Sequence, residues 1–169
     1  PLPASRLQTS NPRTERTEFL LDVLVATIDV VDAVDDRVAC RDQTRASAAV
    51  DAIEVGQPDA PIEYVLMDLS SLASVRRAAT EIGSRAESID GLILNAGLMM
   101  LPHRKLTEDG FETQFGVNHL GHFLLASVLC GRVRFGGGRF VIVSSVAHGY
   151  GMKRIRFEDL AFETGYRPA

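Results

Sequence analysis

In Gly91-Leu-Ile-Leu-Asn95-Ala96-Gly97, an unbroken apolar run of strand length ends in small and polar residues. Because the run does not alternate, it predicts a strand that is covered on both faces, as in a parallel sheet. Two similar runs occupy residues 62–67 and 139–143, and segments with helical periodicity lie between the runs, over about 72–86 and 107–129. This alternation predicts an α/β fold with a doubly wound parallel sheet.

The helical segments carry further local signals. One face of the first is shared by Leu72, Val75, Ala79 and Ile82. The second is predicted to begin at Thr107, whose side chain suits an N-cap and is followed by acidic residues in the first turn. Residues 44–53 also have a helix-forming composition.

The N-terminal part of the 169-residue chain is less regular. Residues 1–18 are polar and lack any apolar period, so we interpret them as a tail that precedes one domain over 19–169. Residues 19–39 are rich in Val, Ile and Asp, and their pattern does not distinguish a buried strand from an amphipathic helix. All 14 glycines lie at or after Gly56.

Composition excludes several classes of function. Hydrophobic residues make up 46% and charged residues 24% of the chain, which is typical of a globular domain. A net charge of -4 argues against a nucleic-acid partner. No uninterrupted apolar stretch reaches the roughly 18 residues of a membrane span. Cys40 and Cys130 are too far apart for a CxxC motif, so we expect free thiols and a cytoplasmic or cytosol-facing location.

Small or polar residues follow three predicted strands, namely Asp68, Asn95-Ala96-Gly97 and Ser144-Ser145. Ligands of doubly wound sheets bind outside the carboxyl ends of the strands. Asn118 lies among apolar residues of the long helix, where a buried amide needs a hydrogen-bond partner. His119 and His122 lack further ligands at metal-site spacing, so we predict packing roles for them and no metal site.

Six short pieces occur in a fixed order: Val38-Ala-Cys-Arg41-Asp, Met67-Asp68-Leu-Ser-Ser-Leu, Leu94-Asn95-Ala96-Gly97, Val117-Asn118-His-Leu-Gly-His-Phe-Leu, Val141-Ile-Val-Ser144-Ser145-Val-Ala-His148 and Phe157-Glu-Asp-Leu. Each piece alone is weak. In this order and spacing, they make residues from about 37 onwards resemble the short-chain dehydrogenase/reductase family, and within it the retinol-dehydrogenase-like members.

The resemblance implies a Rossmann-like fold that binds NADP, with NAD the less favoured cofactor. Arg41 matches the residue that contacts the adenosine ribose, where a guanidinium can pair with a 2′-phosphate. Asp68 and the backbone amide of Leu69 match the adenine contacts, and Asn95, Ala96 and Gly97 flank the cofactor. The alternatives are a solvated helix-end arginine at 41, an N-cap at 68 and a plain β-turn at 95–97.

The resemblance also implies two catalytic residues. Ser145 matches the serine that polarises the substrate carbonyl, and Asn118 matches the asparagine that helps to hold a water in a proton relay. A polar strand end and an ordinary core amide are the respective alternatives. The resemblance implies a small-molecule carbonyl or alcohol as substrate, of lipophilic character such as a retinoid, steroid or aldehyde. It also allows a homo-oligomer.

Two parts of the family pattern have no counterpart. No Tyr is followed four residues later by Lys, because Arg154 occupies that place after Tyr150 and the chain stops before it for Tyr166. We expect truncation just after the Tyr166-Arg-Pro segment. The glycine-rich phosphate turn is also missing, since residues 15–40 contain no glycine. We therefore expect an incomplete sheet and no turnover. A non-catalytic truncated product and a nucleotide-binding module without redox chemistry are the alternatives.

Overall fold

A computed structural model describes residues 26–29, 36–56, 62–149 and 154–167, so the predicted tail at 1–18 lies outside the described residues. Five strands form one sheet in the order β3-β2-β1-β4-β5. The strands are β1 (Ala26–Asp29), β2 (Asp36–Cys40), β3 (Ile62–Leu66), β4 (Gly91–Leu94) and β5 (Arg139–Ile142). This order reverses at β1, as in doubly wound sheets, and the predicted α/β class is confirmed.

Strand β1 is the exception to the parallel arrangement. It pairs antiparallel with both β2 and β4, whereas β2 pairs parallel with β3 and β4 parallel with β5. Six residues, 30–35, separate β1 from β2, and a parallel crossover needs about a dozen or more. A connection of this length therefore permits only an antiparallel pairing of β1 with β2. The other four strands share one direction, and their carboxyl ends lie at the same edge of the sheet.

The helices occupy the positions that the sequence predicts, with shifted ends. They are α1 (Gln43–Gly56), α2 (Leu72–Arg85), α3 (Thr113–Phe115), a π-helical segment (Gly116–Gly121) and α4 (His122–Leu129). From α3 to α4 the helix is continuous, so the predicted long helix is one rod with a π-helical middle. Among the residues that the structure describes, no helix has the length and apolarity to cross a membrane.

Helix α2 supplies much of the core. Ser71 is its N-cap, with a side chain that accepts a hydrogen bond from the Ser74 amide. Val75, Ala79 and Ile82 of the predicted apolar face are fully buried, whereas Leu72 is half-buried. The helix packs against α4 and β3. Its amphipathic face therefore covers the sheet that carries the strand ends of interest.

The long helix begins later than predicted. Glu112, and not Thr107, is the N-cap, and its two carboxylate oxygens accept hydrogen bonds from the amides of Gln114 and Phe115 at 3.0 and 2.9 Å. Thr107 instead lies in a turn that precedes the helix, where its hydroxyl accepts from the Phe111 amide at 3.1 Å. Thr107 is in a turn and not in the helix because Leu106 and Glu112, on either side of it, form an isolated antiparallel bridge. Helical residues could not make such a bridge.

Strand β5 differs from the strand covered on both faces that its composition predicts. Phe140, Val141 and Ile142 are all exposed, Ile142 by 69%. In the described part of the chain, β5 lies at one margin of the sheet with β4 as its neighbour. An exposed apolar edge strand of this kind favours association with other chains.

Candidate functional site

The carboxyl edge of the sheet brings the predicted strand-end residues together. The Met67 amide donates to the Cys40 carbonyl at 2.9 Å, so Asp68 and Arg41 follow neighbouring strands. On the other side of β1, the Val143 amide donates to the Leu94 carbonyl at 3.0 Å. Asn95 and Ser145 therefore also follow neighbouring strands. All four residues lie at the edge where doubly wound sheets bind their ligands.

At the end of β3, Asp68 holds a tight turn. Its Oδ1 accepts hydrogen bonds from the Ser70 amide at 2.8 Å and from the Ser70 hydroxyl at 2.7 Å. The alternative N-cap role falls to Ser71 instead. Leu69 is buried, while Asp68 is half-buried. This geometry fixes the backbone of the predicted adenine contacts.

Gly121 brings the long helix against this turn. A Cβ atom at Gly121 would lie 2.8 Å from the Leu69 carbonyl oxygen and 2.9 Å from Leu69 Cδ2. Only a residue without a side chain allows the helix backbone to approach this closely. The last residue of the π-helical segment is thus docked on the end of β3.

Asn118 docks the same segment on the end of β4. Its Oδ1 accepts from the Leu98 amide at 2.9 Å and its Nδ2 donates to the Leu98 carbonyl at 2.8 Å. A Cβ atom at Gly97 would lie 3.4 Å from the same Oδ1. The side chain is exposed, not buried as its apolar surroundings in the sequence suggest. Its partner is the backbone 20 residues earlier, next to the predicted cofactor contacts.

The π-helical segment therefore joins two strand ends. Gly121 contacts the turn after β3 and Asn118 pairs with the loop after β4. Helical segments of π type are rare and often occur at functional sites. Asn118, which the sequence assigns to catalysis, is thus beside Asn95, Ala96 and Gly97 in the folded chain.

The two histidines of this helix are packed against other parts of the chain. His119 stacks between Phe115 and Phe123, with ring centroids 5.4 and 6.3 Å away. His122 is 6% exposed and its Nε2 has no hydrogen-bond partner. Burial lowers the pKa of His122, a hydrogen bond to the Asn118 backbone raises it, and nearby His119 lowers it further. Among the described residues, no three His, Cys, Asp or Glu side chains cluster as metal ligands would.

Arg41 and Ser145 are exposed at their strand ends. Arg41 follows β2 directly, and Ser145 lies three residues beyond β5. Both residues therefore lie at the carboxyl edge of the sheet. Their assigned contacts with a cofactor and a substrate remain predictions.

Sequence reasoning missed the role of the last described segment, 154–167. Its Tyr166 hydroxyl donates to the Leu101 carbonyl at 2.9 Å and accepts from Gln114 Nε2 at 3.3 Å. Arg104 Nε donates to the Ala161 carbonyl at 2.7 Å. The segment therefore lies on the loop that follows β4. The available sequence signal was Tyr166-Arg-Pro, which gives no hint of a partner 65 residues away.

The expected dinucleotide fits these residues only in part. The residues that the resemblance assigns to adenosine contacts lie at the strand ends, where Asp68 and Asn118 hold the backbone through hydrogen bonds. The pyrophosphate of a dinucleotide usually binds a glycine turn and helix N-terminus directly after β1. Here β1 runs antiparallel to β2 and β4, so its own carboxyl end at Asp29 lies at the opposite edge of the sheet. In the described ranges, nothing replaces that turn.

Comparisons with known proteins agree with this fold. The sequence model of the family described as short chain dehydrogenase matches residues 26–156. Retinol dehydrogenase 13 of Homo sapiens is 43% identical over 127 residues, which cover 75% of this chain and 38% of that protein. Polyprenol dehydrogenase of Danio rerio is 39% identical over 128 residues, with 73% and 39% covered. The chain spans about two fifths of the length of these curated relatives.

Solved structures show the same architecture. A crystal structure of an uncharacterized protein from Mycobacterium paratuberculosis superposes with a TM-score of 0.64 at 39% identity, covering 78% of this chain and 44% of that one. Levodione reductase superposes with a TM-score of 0.58 at 25% identity, covering 69% and 46%.

Proposed function

Because this chain belongs to the short chain dehydrogenase family, we propose that it carries the adenosine-binding part of an NADP-dependent oxidoreductase that interconverts a carbonyl and an alcohol. One observation carries the proposal: Asn118 of the long helix pairs with both backbone groups of Leu98. This pairing joins the predicted catalytic asparagine to the loop that follows Asn95, Ala96 and Gly97. It holds the long helix against the carboxyl edge of the sheet.

The choice of NADP rests on Arg41. A guanidinium presents two parallel N–H groups to a phosphate and keeps its charge at any physiological pH. Arg41 follows β2, at the strand end from which a doubly wound fold contacts the adenosine ribose. The residue is exposed to solvent at that strand end.

The proposed substrate is lipophilic. The names of two relatives, retinol dehydrogenase and polyprenol dehydrogenase, point to hydrophobic alcohols. In this chain, Met99 and Met100 are exposed on the loop that follows β4. Flexible thioether side chains suit contacts with apolar ligands of irregular shape.

We also propose that the 169-residue chain by itself has no turnover. Reduction of a carbonyl requires hydride at carbon and an acid that meets the charge on oxygen. Ser145 could polarise the oxygen, but no Tyr of this sequence has a Lys four residues later. The direction of β1 removes the usual position of the pyrophosphate turn as well. A purified chain should leave the absorbance of NADPH unchanged with an aliphatic aldehyde, and robust NADPH-dependent reduction would overturn this proposal.

The cofactor preference can be tested with a ligand that matches the residues present. We expect adenosine 2′,5′-bisphosphate to bind more tightly than adenosine 5′-phosphate, and Arg41→Gln to weaken its binding roughly tenfold because one charge-assisted contact is lost. Titration calorimetry measures both affinities. Arg77→Gln removes the same charge from the exposed side of α2 and should change neither.

The outcomes separate the candidate functions. Equal affinity for the two adenosine phosphates, unaffected by Arg41→Gln, would refute the NADP preference. No binding of either ligand would favour a non-catalytic truncated product, and 5′-phosphate binding without 2′ discrimination would favour a nucleotide-binding module.

Free Cys40 and Cys130 support the further proposal of a reducing, cytosol-facing location.

A further inference from the structure

Tyr166 is a tyrosine that the proposed reaction does not use. Its hydroxyl stands where three parts of the chain meet: it donates to the Leu101 carbonyl at 2.9 Å and accepts from Gln114 Nε2 at 3.3 Å. Leu101 belongs to the loop after β4 and Gln114 to α3. One hydroxyl group therefore connects the last described segment, the loop and the long helix.

The hydroxyl is kept in its donor form. Burial raises the pKa of Tyr166, and the negative charge of nearby Glu112 raises it as well, while the hydrogen bond from Gln114 acts in the opposite direction. The Glu112 carboxylate is itself fixed as the cap of α3. These influences leave the hydroxyl protonated at neutral pH, as an ordinary tyrosine is, and its O–H group donates to the Leu101 carbonyl.

The loop between Leu98 and Leu101 is held at both ends. Asn118 binds both backbone groups of Leu98, and Tyr166 binds the Leu101 carbonyl. Between these points Met99 and Met100 are exposed, and Met100 has a φ of 60°. A residue with a side chain adopts this left-handed conformation only where its surroundings impose it.

A second contact keeps the segment against the same loop. Arg104 Nε donates to the Ala161 carbonyl at 2.7 Å, 57 residues away in sequence. Within the segment, Arg156 binds Asp159 and the Thr164 carbonyl, which gives it internal structure. Tyr166 is therefore presented to the loop by an ordered segment and not by a single free residue.

We propose that Tyr166 is a positioning residue, which holds the loop 98–101 and its exposed Met99–Met100 pair in a fixed place beside Asn95, Ala96 and Gly97. It acts through the Leu101 backbone and does not contact reacting atoms. The use of the positioned methionines for a substrate rests on the proposed function, whereas the positioning itself does not.

The test is Tyr166→Phe in the full 169-residue chain, which removes the hydroxyl and keeps the ring. Amide exchange of Leu98, whose N–H is held by Asn118, should become roughly 3- to 10-fold faster, in keeping with the loss of one hydrogen bond. The carbonyl ¹³C resonance of Leu101 should shift, because this carbonyl loses its donor. Amides of β3 and α2 should keep their exchange rates.

The matched control is Tyr64→Phe. Its hydroxyl accepts from Gln43 Nε2 at 3.1 Å, far along the chain from the loop, so neither the Leu98 amide nor the Leu101 carbonyl should respond. A second variant, Gln114→Ala, leaves the Tyr166 donor in place and should cause a smaller change in the same direction.

Two results would overturn the positioning role. One is an unchanged Leu98 amide and Leu101 carbonyl in Tyr166→Phe. The other is a uniform acceleration of exchange over the whole sheet, which would mean a contribution to overall stability alone. If the loop responds as expected while adenosine 2′,5′-bisphosphate does not bind, the positioning role stands and the proposed function fails.

Discussion

Replacing Gly121 by Ala should lower the free energy of unfolding by about 1–3 kcal/mol, the usual range for an overpacked interior. The new methyl group would lie 2.8 Å from the Leu69 carbonyl oxygen and 2.9 Å from Leu69 Cδ2. The side chain could rotate away, but the carbonyl is part of the turn that Asp68 holds through Ser70. Relief therefore requires the helix and the end of β3 to separate.

Urea unfolding of the variant and of Gly131→Ala measures this effect. Gly131 lies in the short 3₁₀ helix Cys130–Arg132, and a Cβ atom there would meet nothing within 4 Å. We expect its substitution to change stability by less than about 0.5 kcal/mol. A Gly121→Ala chain as stable as the Gly131→Ala chain would show that the helix does not approach the turn this closely.

The second large effect is a loss of stability on mild acidification. Burial lowers the pKa of His122 below its usual value of 6.5, so the unfolded chain binds a proton more readily than the folded one. The contribution of neutral His122 is complete above about pH 6.5, falls as the pH drops toward the folded pKa, and then levels off. The slope in that window reaches at most about 1.4 kcal/mol per pH unit.

Denaturant unfolding between pH 7.5 and 5.5 tests this dependence. His122→Gln should remove most of the slope, because glutamine keeps a hydrogen-bond donor and does not titrate. His119→Gln is the matched control on the same helix, since His119 is exposed and has the smallest of the three influences on the pKa of His122, so this variant should keep most of the slope. If the slope survives in His122→Gln and disappears in His119→Gln, the assignment to the buried imidazole is wrong.

Local sequence patterns were sufficient to predict most of the helices and strands. The unalternated apolar runs predicted β3, β4 and β5 to within two residues, and helical periodicity predicted α2. These signals depend on neighbours within one turn or one strand. The predicted start of the long helix was wrong because Thr is a preferred N-cap residue and Glu is not, whereas the true start depended on a bridge between Leu106 and Glu112. The exposure of β5 could not be predicted from local patterns either, because it depends on which other elements pack against the strand.

The candidate site was likewise predicted only in part from the sequence. Motif resemblance located Arg41, Asp68, Asn95 and Ser145 after strands, and the shared strand direction placed them at one edge. It did not reveal that Asn118 pairs with Leu98 or that Gly121 contacts Leu69. Glycine in the sequence is equally compatible with a turn, a flexible position or a close approach. Only packing distinguishes these uses.

The sequence by itself determined the α/β class, the family resemblance and the residues at the strand ends, because these depend on local periodicity and short motifs. It also showed that residues 1–55 lack glycine and so lack the phosphate turn. Tertiary structure decided the position of β1 between β2 and β4, the hydrogen bonds of Asn118 to Leu98 and the attachment of Tyr166 to Leu101. The partners in the latter two contacts lie 20 and 65 residues apart, and contacts at such separations form only when the whole sheet brings their elements together.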